Sequence, residues 1–169
     1  MKRNIVLIGM PGCGKSTVGV VLAKALGSHF LDADLLIQAR EGRLLCEIIE
    51  KEGLDAFNRI EEDVNASIQA ENAVIATGGS VVYGARAMEH LRAIGDVIYI
   101  RLSLESIAER LGDLTERGVS MREGQTLEDL YAERIPLYEK YADIVIDAEH
   151  REIRELVREM RQALQEYRS

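Results

Sequence analysis

The sequence predicts an α/β fold with a central parallel sheet of about five strands flanked by helices. Short apolar runs recur along the chain, and amphipathic segments of helical length separate them. The runs lie at residues 5–8, 30–31, 73–76, 97–100 and 144–146. Strands that alternate with helices in this way form parallel sheets covered on both faces. The second observation that predicts this fold is a glycine-rich loop between the first run and the first helix. A length of 169 residues suits a single domain that spans residues 1–169.

The composition excludes several classes of function. Hydrophobic residues make up 47% of the chain and charged residues 30%, which is ordinary for a globular protein. The net charge of −8 and the aromatic content of 5% argue against general binding to nucleic acid or to anionic membranes. No apolar run reaches 18 residues and the run at 5–8 is too short for a signal peptide, so we expect a cytoplasmic protein. The sequence does not fix the oligomeric state, and a monomer is the simplest expectation.

The loop after the first run is a phosphate-binding P-loop. Residues 9–16 read GMPGCGKS, which has the required glycines followed by Lys15 and Ser16. Glycines allow successive backbone N–H groups to point inward, and the following helix directs its positive N-terminus at the same anion. Lys15 would reach the β- and γ-phosphates of a nucleotide, and Ser16 would bind Mg²⁺. The alternative is a glycine-rich turn that binds nothing.

Acidic and glycine residues follow the second and third runs. Asp32 and Asp34 end the second run, and Gly78 and Gly79 come soon after the third. Ligands bind at the carboxyl ends of parallel strands, so these residues are expected beside the P-loop. One carboxylate could face a metal ion while the other accepts a hydroxyl proton. The alternatives are that Asp34 only caps a helix beginning near Leu35 and that the glycines only form a tight turn.

Two further segments indicate a binding subdomain and a lid. The connection between the second and third runs, residues 33–71, is longer than a crossover requires and holds a helical insertion that Gly53 interrupts. Residues 112–125 lose the apolar period and carry Arg117 and Arg122, which favours a mobile lid over a plain surface loop. Residues 151–169 predict a closing helix with one apolar face made of Ile153, Leu156, Val157, Met160 and Leu164.

Motifs along the chain fit one family pattern: GMPGCGKST at 9–17, DAD at 32–34, Phe57 with Glu61, TGG at 77–79, Arg117, RIPLY at 134–138 and ADIV at 142–145. Together they resemble the shikimate kinase family over essentially the whole chain. The resemblance implies a P-loop kinase of the nucleoside-monophosphate-kinase type, with a helical acceptor-binding insertion and a lid. Such an enzyme transfers the γ-phosphoryl of ATP to a hydroxyl of a small carboxylate, converting shikimate to shikimate 3-phosphate.

The resemblance also implies roles for single residues. Lys15 and Arg117 would neutralise the transferring phosphoryl group, and Asp34 would receive the hydroxyl proton. Ser16 and Asp32 would hold Mg²⁺. The residues implied for nucleotide binding are Gly12, Cys13, Gly14, Lys15, Ser16, Thr17, Arg110 and Arg117, with Arg110 stacking on adenine. Those implied for acceptor binding are Asp34, Asn58, Glu61, Gly78, Gly79, Ser80 and Arg134, with Arg134 gripping the substrate carboxylate.

The chain departs from the family pattern on the acceptor side. Asn58 stands where the family has an arginine that shares the substrate carboxylate, and Ser80 stands where it has a third glycine. A neutral amide cannot replace a charge-assisted contact worth roughly 1.5–3 kcal/mol. Gln38, where a glutamate is usual, is a smaller departure. A pocket with one fewer cation would better accept a substrate that carries its own ammonium, such as homoserine, so shikimate and a hydroxy amino acid both stay open.

The sequence also bears on two other classes of function. A non-catalytic nucleotide-binding module would keep the P-loop but lose the base or the metal ligand, and here Ser16, Asp32 and Asp34 are all present. A kinase acting on nucleoside monophosphates would need several arginines around the acceptor phosphate. Residues 44–70 of the insertion offer only Lys51 and Arg59 for this purpose, which disfavours that function.

Overall fold

The computed structural model describes residues 3–112 and 119–169. A five-stranded parallel sheet lies at the centre, with the strands in the order β2-β3-β1-β4-β5. The strands are β1 Asn4–Ile8, β2 His29–Asp32, β3 Ala73–Ala76, β4 Gly95–Arg101 and β5 Ile144–Asp147. The helices are α1 Lys15–Leu26, α2 Ala33–Glu41, α3 Leu45–Glu52, α4 Leu54–Ala66, α5 Ala85–Ile94, α6 Leu104–Leu111, α7 Leu127–Tyr141 and α8 Ile153–Arg168. The predicted α/β fold is confirmed.

The three inner strands form the core of the sheet. Every residue of β1 and β3 is buried, as expected for strands covered by helices on both faces. Leu7 of β1 lies opposite Ala76 of β3 and Ile98 of β4. Because all strands run in the same direction, the loops after β1, β2 and β3 emerge at one edge. The topology therefore brings the P-loop to the same edge as the glycine residues after β3, its neighbour, and the acidic residues after β2, the next strand.

The predicted helical insertion is present as three helices, α2, α3 and α4. They share a small apolar core, separate from the main one, that consists of Ile37, Ile48, Phe57 and Val64. Gly53 separates α3 from α4 with a φ of 84°, which explains why the helical pattern breaks at this residue. The insertion thus carries Phe57 on a packed helix, which fixes the neighbouring side chains of α4 near the sheet edge.

The predicted lid is only partly covered by the described residues. Residues 113–118, with Arg117 among them, lie outside the described part of the chain. Residues 119–125 contain no helix or strand, and Val119 and Met121 pack against the main core. The segment that leads from the lid into α7 is therefore anchored to the body of the protein.

The closing helix is confirmed as α8, with one correction. Leu156, Val157, Met160 and Leu164 are buried as predicted, whereas Ile153 at the first turn is 37% exposed. Ile153 is the first residue of the helix. Among the described residues, no helix combines the length and apolar character needed to cross a membrane.

Candidate active site

The P-loop connects the buried strand β1 to α1 and has the conformation that its glycines predict. Gly12 and Gly14 have φ values of 80° and 98°, which L side chains rarely adopt. A Cβ atom on Gly12 would also lie 3.0 Å from Leu111 Cδ2. The loop then leads directly into the first turn of α1 at Lys15, so the backbone N–H groups of the loop and helix open toward one point.

The amine of Lys15 lies inside this loop. Lys15 Nζ donates hydrogen bonds to the carbonyl oxygens of Gly9 at 2.7 Å and Met10 at 2.9 Å. It also lies 3.7 Å from the sulfur of Cys13, whose side chain is buried. The Lys15 residue itself is 7% exposed. The loop therefore holds a positive charge in place next to the region where its N–H groups converge.

Ser16 and Asp32 bring a hydroxyl and a carboxylate together beside the loop. Ser16 Oγ donates to Asp32 Oδ2 at 3.0 Å, and Asp32 Oδ1 accepts a hydrogen bond from the backbone N–H of Asp34 at 2.9 Å. Asp32 is thus the N-cap of α2, which begins at Ala33. The possibility that Asp34 caps a helix beginning near Leu35 is wrong, because the chain becomes helical immediately after β2.

This pair fits Mg²⁺ better than a transition metal. No group of three or more His, Cys, Asp or Glu side chains within the described ranges could hold a metal ion by itself. Mg²⁺ is usually held by one or two protein oxygens, with water and substrate phosphates completing the coordination. A hydroxyl and a carboxylate beside a P-loop provide this set of donors.

Asp34 and Glu61 both lie close to Gly78, on the same side of it. A Cβ atom placed on Gly78 would be 2.7 Å from Glu61 Oε2 and 2.9 Å from Asp34 Oδ1. Burial raises the pKa of Asp34, and the nearby Asp32 carboxylate adds to this effect while Lys15 opposes it. Only glycine fits at this position, and the two carboxyl groups face the same small space.

Glu61 is almost completely buried on α4. Burial raises its pKa to about 7, although a hydrogen bond from Ser80 and the charges of Arg134 and Lys15 lower it in part. The Asp34 carboxylate contributes a further upward effect. Glu61 therefore gains or loses a proton close to neutral pH, in the same space beside Gly78 as Asp34.

Arg134 reaches the same space from α7 and is only 1% exposed. Its Nη2 donates to the carbonyl oxygen of Ser120 at 2.9 Å and its Nε to the hydroxyl of Tyr83 at 3.3 Å. The guanidinium also lies over the Tyr83 ring, 5.3 Å from the centroid. No carboxylate of the described chain approaches it within salt-bridge distance. A buried arginine without a carboxylate partner is suited to bind an anionic ligand.

Gly79 joins the P-loop to this arginine. A Cβ atom on Gly79 would lie 2.7 Å from Pro11 Cδ and 2.9 Å from Arg134 Nη1. The hydroxyl of Tyr138, one helical turn after Arg134, donates to the Gly79 carbonyl oxygen at 2.6 Å. The P-loop and Arg134 therefore meet at a glycine that no larger residue could replace without movement.

Six of the seven residues predicted for acceptor binding line one cavity of about 100 Å³. They are Asp34, Glu61, Gly78, Gly79, Ser80 and Arg134. Asn58 instead lines a neighbouring cavity of about 140 Å³, and Ser120 borders both. Asn58 Oδ1 is buried and has no hydrogen-bond partner among the described residues. The structure thus places Asn58 beside the residues predicted to bind the phosphoryl acceptor. Its side-chain oxygen is free to accept a hydrogen bond from a ligand.

Of the other residues predicted to bind the nucleotide, the structure describes Arg110 and Thr17. Arg110, near the end of α6, is exposed, and its Nη1 donates to the Gly12 carbonyl oxygen at 3.4 Å. Thr17 lies exposed in the first turn of α1. Arg117 lies outside the described residues.

Sequence reasoning did not assign roles to Tyr83, Ser120 and Tyr138. Tyr138 was detectable, because it lies four residues after Arg134 and therefore on the same helix face. Ser120 contributes a backbone carbonyl, which the side-chain sequence does not reveal. Tyr83 lies in a short 3₁₀ turn, Val81–Tyr83, after the glycine pair, and no local pattern indicates its contact with Arg134.

Comparison with known sequences gives the chain a family. The family model described as shikimate kinase matches residues 11–165. The chain is 42% identical over 160 residues to a shikimate kinase of Methylococcus capsulatus, covering 93% of this chain and 89% of the relative. It is 37% identical to a shikimate kinase of Moorella thermoacetica, covering 97% and 95%.

Solved structures give the same result. Shikimate kinase from Acinetobacter baumannii in complex with shikimate has a TM-score of 0.88 and 34% identity, covering 97% of this chain and 93% of that one. Shikimate kinase from Aquifex aeolicus has a TM-score of 0.83 and 34% identity, with 96% of each chain covered. A gluconokinase from Sinorhizobium meliloti, at 22% identity and a TM-score of 0.54, shares the fold alone. The chain belongs to the shikimate kinase family, whose members are phosphotransferases that use ATP and act on a hydroxyl group.

Proposed function

We propose that this protein transfers the γ-phosphoryl group of ATP to a hydroxyl of shikimate and forms shikimate 3-phosphate. The observation that carries the proposal is the meeting of three features at one cavity: the P-loop, the carboxyl pair of Asp34 and Glu61, and the buried cation of Arg134. The first feature suits a nucleotide, the second a hydroxyl, and the third a carboxylate. A relative with 34% identity is known in complex with shikimate.

The nucleotide side uses the P-loop and the residues around it. Backbone N–H groups of Gly12, Cys13 and Gly14 would bind the phosphates, and Lys15 would leave its contacts with loop carbonyls to reach the β- and γ-phosphates. Arg110 lies over the loop and would stack on adenine. Arg117, whose position is outside the described residues, is assigned to the transferring phosphoryl group from its place in the sequence alone.

Ser16 and Asp32 would hold Mg²⁺, which supplies positive charge to the phosphate oxygens when bound. Asp32 already accepts hydrogen bonds from Ser16 and from the backbone of Asp34, so its carboxylate is fixed in orientation. A fixed carboxylate loses little freedom when it binds a ligand.

The acceptor side positions a hydroxyl next to Asp34. Gly78 and Gly79 allow an acceptor to approach the backbone closely, and Arg134 would bind its carboxylate. Asp34 would take the proton of the attacking hydroxyl as the new bond to phosphorus forms. The raised pKa of Asp34 makes its carboxylate a stronger base than an exposed aspartate.

One observation favours a second candidate acceptor. Asn58 Oδ1 is a buried hydrogen-bond acceptor without a partner, beside the acceptor pocket. An ammonium could donate to it, which keeps a hydroxy amino acid such as homoserine as the alternative substrate for the same chemistry.

The deciding experiment is a coupled ADP-release assay with MgATP and a panel of acceptors. The panel contains shikimate, homoserine, serine, gluconate and AMP, with a reaction lacking acceptor and a Lys15→Met variant as controls. Phosphorus NMR of the product identifies which hydroxyl carries the phosphate. Turnover of shikimate with loss of activity in the variant supports the proposal. Turnover of homoserine with shikimate inactive selects the second candidate, and ADP release by no panel member contradicts both.

A further inference from the structure

A buried hydroxyl contacts a buried carboxyl group at the wall of the acceptor pocket. Ser80 Oγ donates to Glu61 Oε1 at 2.6 Å, and the two residues are 5% and 2% exposed. Within the described ranges, this is the only hydrogen bond to the Glu61 carboxyl group. Ser80 therefore provides the one local donor for a carboxyl group that water scarcely reaches.

The second oxygen of Glu61 faces the acceptor space. Glu61 Oε2 lies against Gly78, on the same side as Asp34 Oδ1. With one oxygen held by Ser80, tilting the carboxyl plane away from this orientation would break the hydrogen bond. The hydroxyl thus determines which way the carboxyl group is turned.

The charged groups that face Glu61 come from three helices. Asp34 of α2 disfavours the ionised form, while Arg134 of α7 and Lys15 of α1 favour it. Burial is the largest effect and favours the neutral acid. A hydroxyl that donates to the carboxylate favours the ionised form, so removal of Ser80 Oγ would shift the balance toward the neutral acid.

We propose that Ser80 is a positioning residue: its hydroxyl favours the ionised form of Glu61 and holds the carboxyl group toward Gly78, where Glu61 Oε2 accepts a hydrogen bond from the hydroxylated acceptor beside Asp34. The part that concerns the acceptor rests on the proposed function. The part that concerns Ser80 and Glu61 rests only on their contact. A Ser80 that merely filled space would affect packing and stability and would leave the ionisation of Glu61 unchanged.

A carboxyl ¹³C NMR titration tests the contact directly in the full-length protein. Glu61→Gln identifies the Glu61 resonance by its loss. We expect a wild-type midpoint at about 7, a midpoint higher by about one pH unit in Ser80→Ala, because a donor to a charged group is lost, and a return toward wild type in Ser80→Thr.

Thr77→Val is the matched control. Thr77 is a buried hydroxyl three residues earlier that donates to the Leu7 carbonyl oxygen at 2.7 Å and makes no hydrogen bond with Glu61. This variant should lose stability and keep the Glu61 midpoint. An unchanged midpoint in Ser80→Ala, or an equal change in Thr77→Val, overturns the proposal.

Kinetics test the consequence for the acceptor. At pH 7, kcat/KM for the acceptor should fall about fivefold in Ser80→Ala and recover as the pH rises, since a midpoint higher by about one pH unit leaves about a tenth of Glu61 ionised there. KM for MgATP should not change. A fall that is independent of pH overturns the proposal. Wild-type protein without acceptor turnover contradicts the proposed function instead, and the titration still decides whether Ser80 controls Glu61.

Discussion

Ser16 and Asp32 are joined by a hydrogen bond of 3.0 Å between the first turn of α1 and the end of β2. The contact links the helix start that follows the P-loop to the end of β2, although the two residues lie 16 positions apart in the chain. Asp32 also caps α2 through the N–H of Asp34. One carboxylate therefore has a structural task and a proposed metal-binding task, which substitutions can separate.

Asp32→Asn and Asp32→Ala separate these two tasks. Both remove the negative charge, so we expect kcat/KM for MgATP to fall at least about tenfold and the Mg²⁺ requirement to rise. Asparagine caps helices about as well as aspartate, whereas alanine loses about 1 kcal/mol. Thermal unfolding should therefore show a Tm lower by about 2–4 °C in Asp32→Ala only. Equal Mg²⁺ dependence in wild type and Asp32→Asn would remove Asp32 from the proposed metal site.

The sequence was informative where a local pattern has one physical explanation. The P-loop spacing predicts a strand, a loop and a helix in fixed order, and β1 and α1 confirm it. The insertion helices and the break at Gly53 were also predicted, because a glycine with positive φ ends a helix clearly. The order of the strands required the structure, since the apolar runs do not say which strands are neighbours.

Contacts between distant segments could not be predicted. Tyr83 and Ser120 hold Arg134 through a side-chain hydroxyl and a backbone carbonyl from two irregular segments. The bond from Ser80 to Glu61 joins a turn to a helix and depends on how α4 packs. The sequence marked Ser80 as unusual, and the three-dimensional packing supplied its partner.

Asp34→Asn tests the proposed proton acceptor. The amide preserves the shape of the side chain but cannot take a proton, so kcat should fall by about 10²–10⁴ while KM for MgATP stays within about twofold. Rapid-quench measurement of the phosphoryl-transfer step checks that chemistry is affected. Asp63→Asn, the same change at an exposed position of α4, is the control and should retain activity. A kcat close to wild type in Asp34→Asn would show that another group accepts the proton.

Arg134→Lys tests whether the buried guanidinium binds the acceptor. Lysine keeps the charge but loses the planar fork, so KM for the acceptor should rise about tenfold to a hundredfold with little change in KM for MgATP. Tyr83→Phe removes only the hydroxyl that accepts from Nε and should have a smaller effect. Because Arg134 is buried, Tm must be measured in parallel. A lower Tm with an unchanged acceptor KM would make Arg134 a purely structural residue.

Asn58→Arg tests the departure that most directly concerns the identity of the acceptor. The side chain would extend into a cavity of about 140 Å³ that Glu133 also lines, so there is space and a carboxylate for a guanidinium. A second cation near Arg134 should tighten shikimate binding about tenfold or more and weaken binding of any acceptor with an ammonium group.

Asn58→Gln, which adds length without charge, is the matched control and should leave both affinities within about threefold. Calorimetric titration of each variant with shikimate and homoserine measures the difference. Weaker shikimate binding in Asn58→Arg would contradict the placement of a substrate carboxylate beside position 58, because a new cation there attracts a carboxylate.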